Sequence, residues 1–265
     1  MHGLGVAERA VAAVPEFLVP ALEALTALGD PAVLAAAVTL AYWHGPGRIF
    51  DGFDDGMALV AGSLSGLAAV AALKPLFAHP RPAAALVAES GFALPSGHAA
   101  GSAAVLTAGA LVCTVSTANR RWAVAVAVTG LVSATRIALG VHYLLDVVAG
   151  AILGAGAAFV AVHLARRRTD YGLRTAAVVG ALGYLATGAT DPLAVGGVAG
   201  GAALAWHLTG ERARPSAART LLGLVVVAAL VGPTLALSLS AGETAISSVL
   251  GGAMLGGLPA QNCSR

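Results

Sequence analysis

The sequence has little charge and almost no lysine. Only 11% of its 265 residues are Asp, Glu, Lys or Arg, against roughly a quarter in a soluble globular domain, and Lys74 is the one lysine. A chain this poor in charge is not built to cover a surface with water. Aromatic residues make up 5% and form no basic, aromatic-interleaved patch, so nucleic-acid binding has no support. There are two cysteines, Cys113 in an apolar run and Cys263 in the tail, which excludes a disulfide framework. The N-terminus has no basic region and Glu16 and Glu23 interrupt its apolar stretch, so no cleavable signal peptide is expected.

What is present is apolar: 58% of residues are hydrophobic and the mean hydropathy is +0.84. With about 20 apolar residues needed per crossing, the sequence predicts an all-α, polytopic membrane bundle with room for about eight to ten helices. No sizeable soluble domain fits beside them. Residues 10–28 hold two glutamates and two prolines and either span or lie in the interface. A short apolar run at 31–43 ends on Tyr42-Trp43, aromatics suited to a membrane boundary. A span at 56–73 is expected to stop at Lys74-Pro75. A surface loop follows to Pro95, punctuated by Pro80 and Pro82. Further spans are expected from Gly97 to about 117, at 122–139 and at 143–165, the last closed by Arg166-Arg167-Arg168.

Beyond Arg168, apolar runs at 173–189, 191–208, 219–239 and 244–258 carry almost no ionisable side chain. They read as four additional helices without chemistry. The expected division is therefore a core at 1–168 and a hydrophobic extension at 169–265. Gly150/Gly154, Gly196/Gly200, Gly197/Gly201 and Gly252/Gly256 have the small-xxx-small spacing that lets helix backbones approach.

The charges that do occur are sorted by side. If the chain starts inside and each run crosses once, 12 of the 15 basic residues fall on the cytoplasmic side. The exceptions are Lys74, Arg81 and Arg136, and all three adjoin histidines: Lys74-x6-Arg81-Pro82, Pro95-Ser96-Gly97-His98 and Arg136-x5-His142-x3-Asp146. His142 and Asp146, four apart, share one helix face. The carboxylate can hold Nδ1–H and leave Nε2 free toward Arg136. Lys74, Arg81 and Arg136 can clamp the charged oxygens of a phosphate ester. Ser96 and Gly97, at a helix start, offer backbone N–H groups to the same anion. His142 can attack phosphorus, and His98 can protonate the leaving oxygen and then activate water. No metal or other cofactor is required.

Each fragment alone has a plainer reading: a packing pair, interfacial anchors, a helix cap. Together, and in this order, they strongly resemble the superfamily of type 2 phosphatidic acid phosphatases and vanadium haloperoxidases, whose signature is Lys-x6-Arg-Pro, Pro-Ser-Gly-His and Ser-Arg-x5-His-x3-Asp. The resemblance covers about residues 56–165 and departs at Thr135, where the family usually has serine. It implies the same roles for Lys74, Arg81, Ser96, Gly97, His98, Arg136, His142 and Asp146, a six-helix membrane core, and metal-free hydrolysis. The expected function is that of a membrane lipid-phosphate phosphatase acting on a phosphatidic acid or polyprenyl diphosphate type of substrate, with its site facing outward from the cell membrane. A phosphotransferase, or a transporter or channel that uses the charges as a pathway, is the alternative. His79 matches no motif position and reads as loop filler. His44, His163 and His207 read as interfacial, and Asp191 and Glu243 as solvated loop residues.

Overall fold

The computed structural model describes residues 6–209, 244–246 and 248–252, and among these the chain is helical, with one isolated bridge, Pro46 to Phe50. The helices are α1 (Val6–Ala13), α2 (Val19–Thr26), α3 (Pro31–His44), α4 (Phe53–Phe77), α5 (Gly97–Val112), α6 (Ala118–Ala138), α7 (Leu144–Ala165), α8 (Thr169–Thr187) and α9 (Thr190–Thr209). Of the runs expected after Arg168, those at 173–189 and 191–208 are α8 and α9. The run at 219–239 and Glu243 lie outside the described residues, as do 247 and 253–258 of the run at 244–258.

Among the described residues, α4, α6 and α7 are long and apolar enough to cross a membrane. The pair Glu16–Gly29 and Pro31–His44, bent by 46°, adds a fourth crossing if it is read as one span. The bend sits at Asp30, whose carboxylate accepts from Ala32 N at 2.8 Å and caps α3 ahead of Pro31. Large apolar side chains such as Val126, Ile152 and Leu185 stand exposed on the outer faces. In water such faces would be a liability, whereas hydrocarbon accepts them. The protein is a membrane protein.

Helix α4 is the axis of the bundle, packed by α3, α5, α7, α8 and α9. Small residues let it serve that many neighbours: Ala58, Ala61, Gly62, Ser65, Gly66, Ala68 and Ala69 are all buried along it. It does not stop at Lys74-Pro75 as expected. Pro75 deletes one backbone donor, and the helix runs on to Phe77, where Ala78 turns left-handed and donates its N–H to Lys74 O at 3.0 Å. The lysine is thereby held inside the last turn.

Helices α5 and α7 lie against each other closely enough that α7 tolerates no side chain at the crossing. A Cβ on Gly150 would stand 2.5 Å from Ser96 O, and one on Gly154 would run into the backbone of Ala100. The Gly150/Gly154 spacing thus performs the close approach expected of it. Helix α8 in turn covers α4, with Gly172, Leu173 and Ala176 buried and Ser65 Oγ 2.9 Å from Thr175 Oγ1.

Candidate active site

The C-terminal ends of α4 and α6 and the N-terminal ends of α5 and α7 meet at one end of the bundle, and every motif residue sits there. Arg120, Arg121 and Arg166–Arg168 belong to the opposite ends of α6 and α7. The turn between α6 and α7 is set by Gly140, whose φ of +70° is open to glycine but strained for other residues. Val141 N–H returns to Arg136 O at 3.2 Å, and the chain then delivers His142 just ahead of α7.

His142 and Asp146 are almost fully buried, each 1% exposed. His142 Nδ1 is 3.4 Å from Asp146 Oδ2, and the same oxygen accepts from Tyr143 N at 2.8 Å. Asp146 therefore closes the first turn of α7 and orients the ring with one carboxylate. Burial pushes the imidazole of His142 below its ordinary pKa, against the opposing pull of its hydrogen bond to Asp146. The other ring nitrogen is not turned to Arg136 as expected. It meets Arg81, whose Nη1 lies 3.2 Å from His142 Nε2 and donates to Val141 O at 3.0 Å.

Arg81 is a hub. Its Nε reaches Ser90 O and Gly91 O at 3.2 and 3.1 Å, and Nη2 donates to Ser90 O at 2.8 Å. The fork thus fastens the 78–96 loop over the end of α7. Lys74 Nζ donates to Phe92 O at 3.1 Å and lies within electrostatic reach of Arg81, Arg136 and Asp146. Arg136, in the last turn of α6, has a side chain only 3% exposed.

Ser96 is fully buried and caps α5, its Oγ accepting from Ala99 N at 3.5 Å. Its own N–H goes to Asp146 O at 2.9 Å. This corrects the expectation that the Ser96 amide serves an anion, because that donor is spent inside the protein. The first-turn amides that a helix leaves without internal acceptors begin at Gly97. A Cβ on Gly97 would come no nearer than 3.9 Å to a neighbour, at Lys74 Cε, so the space over this turn is open. His98 follows in the first turn, half-buried, within reach of Arg136, Glu89 and His142. His79 packs its ring edge-on against Tyr143 at 5.7 Å, which gives the loop histidine a structural place next to the site.

One residue of the site escaped sequence reasoning. Glu89, in the loop between α4 and α5, puts Oε2 2.8 Å from Arg136 Nη2 and Oε1 3.6 Å from Arg81 Nη2. Burial raises its pKa, but the hydrogen bond to Arg136 and the charges of Arg136 and Arg81 outweigh that, so the carboxyl lies below its ordinary value and is ionised at neutral pH. The one available signal was an acid in a loop otherwise equipped to bind anions.

Residues 55–170 match the PAP2 superfamily. No curated protein matches. Among solved structures, the chain is similar to the first transmembrane PAP2 type phosphatidylglycerolphosphate phosphatase from Bacillus subtilis, at 23% identity and a TM-score of 0.54, covering 62% of this chain and 84% of that one. It is also similar to Aquifex aeolicus LpxE, at 23% identity and a TM-score of 0.48, covering 60% of this chain and 93% of that one. The match to the PAP2 superfamily over residues 55–170 takes in all three motifs that converge at this end of the bundle, and the fold is similar to that of the Bacillus subtilis membrane phosphatase.

Proposed function

We propose that this protein is an integral membrane phosphatase that hydrolyses lipid phosphomonoesters or diphosphates, of the phosphatidic acid or polyprenyl diphosphate type, through a phosphohistidine on His142. The observation that carries this reading is a buried imidazole held at both nitrogens, by Asp146 on Nδ1 and by Arg81 on Nε2, at the foot of an open first helical turn. Lys74, Arg81, Arg136 and the first-turn amides of Gly97 and His98 take the nonbridging oxygens. With its proton on Nδ1, His142 is neutral and its Nε2 lone pair attacks phosphorus once Arg81 has passed its N–H to a phosphate oxygen. The P–O bond to the lipid breaks and the departing oxygen takes a proton from His98. Water then attacks the phosphohistidine, gives its proton to His98, and releases orthophosphate and neutral His142. The site lies at an end of the bundle, which suits a lipid whose tail stays in the bilayer while its head meets the clamp.

In this reading residues 1–168 are the phosphatase core of a cell-membrane protein whose site faces outward, and 169–265 are an extension whose helix α8 braces α4. The test is phosphate release by the purified full-length protein across a panel of lipid phosphates, with and without chelator. Release should survive chelation, stop with vanadate, vanish in His142→Ala and persist weakly in Asp146→Asn. Loss of release with chelator and its return with magnesium would overturn the mechanism, and no release from any lipid would overturn the function.

A further inference from the structure

Helix α9 lies beyond the residues that match the family, yet it walls a cavity that reaches the candidate active site. The cavity has a volume of about 600 Å3, lies between α3, α4, α5 and α9, and takes in Gly97 at the open first turn of α5. That volume is in the range of pockets that bury a small ligand. Its walls are stripes at helical spacing: Gly97, Gly101 and Val105 on α5, and Val195, Val198 and Ala202 on α9. Along α4 the lining runs from Leu67 back to Met57, about 15 Å. Met57 and Tyr42, both buried, lie at the end away from Gly97. Two of the hydroxyls in the lining are spent inside their own helices, Thr39 Oγ1 donating to Ala35 O and Ser63 Oγ to Leu59 O, each at 2.8 Å. Asp30, at the rim, caps α3. Water in this space would lack partners, so the cavity suits hydrocarbon. The α9 wall is seated from behind. A Cβ on Gly180 of α8 would stand 2.6 Å from Gly196 Cα, and one on Gly197 would run into Ser248.

We propose that this cavity is a chamber for one hydrocarbon chain of the substrate lipid, and that α9 shapes it, so that the protein reads the chain as well as the phosphate. The inference rests on the phosphatase reading and adds to it the part of the substrate that lies behind the head group. Continuity with the site decides the occupant. A phosphate held at the Gly97 amide puts its ester oxygen, and the lipid behind that oxygen, at the mouth of the cavity. A chain that stays in the bilayer keeps the surroundings it already had and gains nothing from the protein. A chain that enters fills a void whose walls otherwise lack contact partners. The gain is one of packing, so it depends on fit. A short chain leaves the end at Met57 and Tyr42 empty, and a larger side chain grown into the space from α9 competes with a long one.

The experiment compares the full-length wild type with Val198→Trp and Leu204→Trp in detergent micelles, measuring phosphate release from dihexanoyl and dioleoyl phosphatidic acid. Val198→Trp fills the chamber and should lower the ratio of kcat/KM for the long-chain over the short-chain lipid by about tenfold, the scale of overpacking at one side chain. Leu204, on the exposed face of α9, is the control, and Leu204→Trp should keep the wild-type ratio. An unchanged ratio in Val198→Trp, or the same loss on both lipids, would overturn the inference and leave α9 a structural brace. A second measurement needs no change in the chamber. Phosphatidic acid with a diazirine at the methyl end of one chain, photolysed with the His142→Ala protein so that the phosphate stays on the lipid, should label residues 194–202 of α9 and 57–67 of α4. Labels confined to the outer faces, at Val126 and Ile152, would equally sink the chamber. Labelling of the chamber wall in a protein whose wild type releases no phosphate from any lipid would instead remove the phosphatase reading and leave the chamber standing.

Discussion

Arg81 Nη1 lies 3.2 Å from His142 Nε2, although the two residues belong to separate motifs 61 positions apart. With the ring proton on Nδ1 facing Asp146, the Nε2 lone pair accepts from arginine, so in the proposed mechanism the resting nucleophile is covered by the group that would grip the substrate. Lysine would keep the charge but lose the fork that reaches Ser90 O, Gly91 O and Val141 O together with the imidazole. Arg81→Lys should therefore lower kcat/KM by roughly 10- to 100-fold, the equivalent of about 1.5–3 kcal/mol for lost charge-assisted hydrogen bonds. Steady-state phosphate release checks this, and a loss under about threefold would mean that charge alone suffices at this position.

Legibility of this site in the sequence followed chain distance. His142 and Asp146 are four apart in sequence, and their pairing is readable because helical geometry dictates it. The Lys-x6-Arg-Pro and Pro-Ser-Gly-His pieces are readable as motifs because each sits at a span end. The bridge from Glu89 to Arg81 and Arg136 is not readable, since a lone loop carboxylate has no period. The loss of the Ser96 amide to Asp146 O is equally hidden, because it depends on how closely α5 and α7 approach. The division at residue 168 separates the motifs from the rest of the chain, but Ser65 against Thr175 shows side-chain packing across it. Small-residue packing of this kind leaves no amphipathic stripe in an apolar helix.

The imidazole of His142 is held below its ordinary pKa first by burial, with the Asp146 hydrogen bond opposing. The sign follows directly. A depressed pKa keeps the ring neutral and nucleophilic at neutral pH, and protonation removes activity only as pH falls through the lowered value. The acid limb of kcat/KM, which reports the free enzyme, should therefore fall below the ordinary imidazole range. Asp146→Asn removes the group that favours the charged ring and should move this limb further toward acid, in whatever activity remains. A shift of the limb toward neutral in Asp146→Asn would contradict the assignment of the limb to His142.

Gly150 and Gly156 lie six residues apart on α7 and should respond oppositely to the same substitution. Gly150→Ala would place a methyl group 2.5 Å from Ser96 O, at the point where α7 meets the cap of α5. Overpacking of this kind costs about 1–3 kcal/mol, and here it would also separate Asp146 O from Ser96 N. Gly156 has nothing within 4 Å of an added Cβ. Gly156→Ala should melt at or slightly above the wild-type temperature with full activity, whereas Gly150→Ala should lose both stability and turnover. Equal behaviour of the two variants in thermal melts and phosphate release would show that the α5–α7 approach has slack.

The proposed sidedness of the site rests on where the arginines sit along the helices. Arg120 and Arg121 open α6, and Arg166, Arg167 and Arg168 close α7, so all five lie at one end of the bundle. Lys74, Arg81 and Arg136 lie at the other end, with Glu89 and Asp146 among them. Basic residues in short loops are retained in the cytoplasm. The run of three arginines at Arg166–Arg168, together with Arg120 and Arg121, is therefore expected to orient the bundle more strongly than three cations engaged in a site. On that orientation the loop from 78 to 96 is expected on the outer side of the membrane. Ala84 in that loop and Thr117 ahead of α6 are both exposed, so each can report its side without disturbing packing. In a background lacking Cys113 and Cys263, Ala84→Cys should react with a membrane-impermeant maleimide in intact cells, and Thr117→Cys only after lysis. The reverse pattern would turn the bundle over and place phosphate release in the cytoplasm, and it would mean that the arginine run at the end of α7 does not decide the orientation.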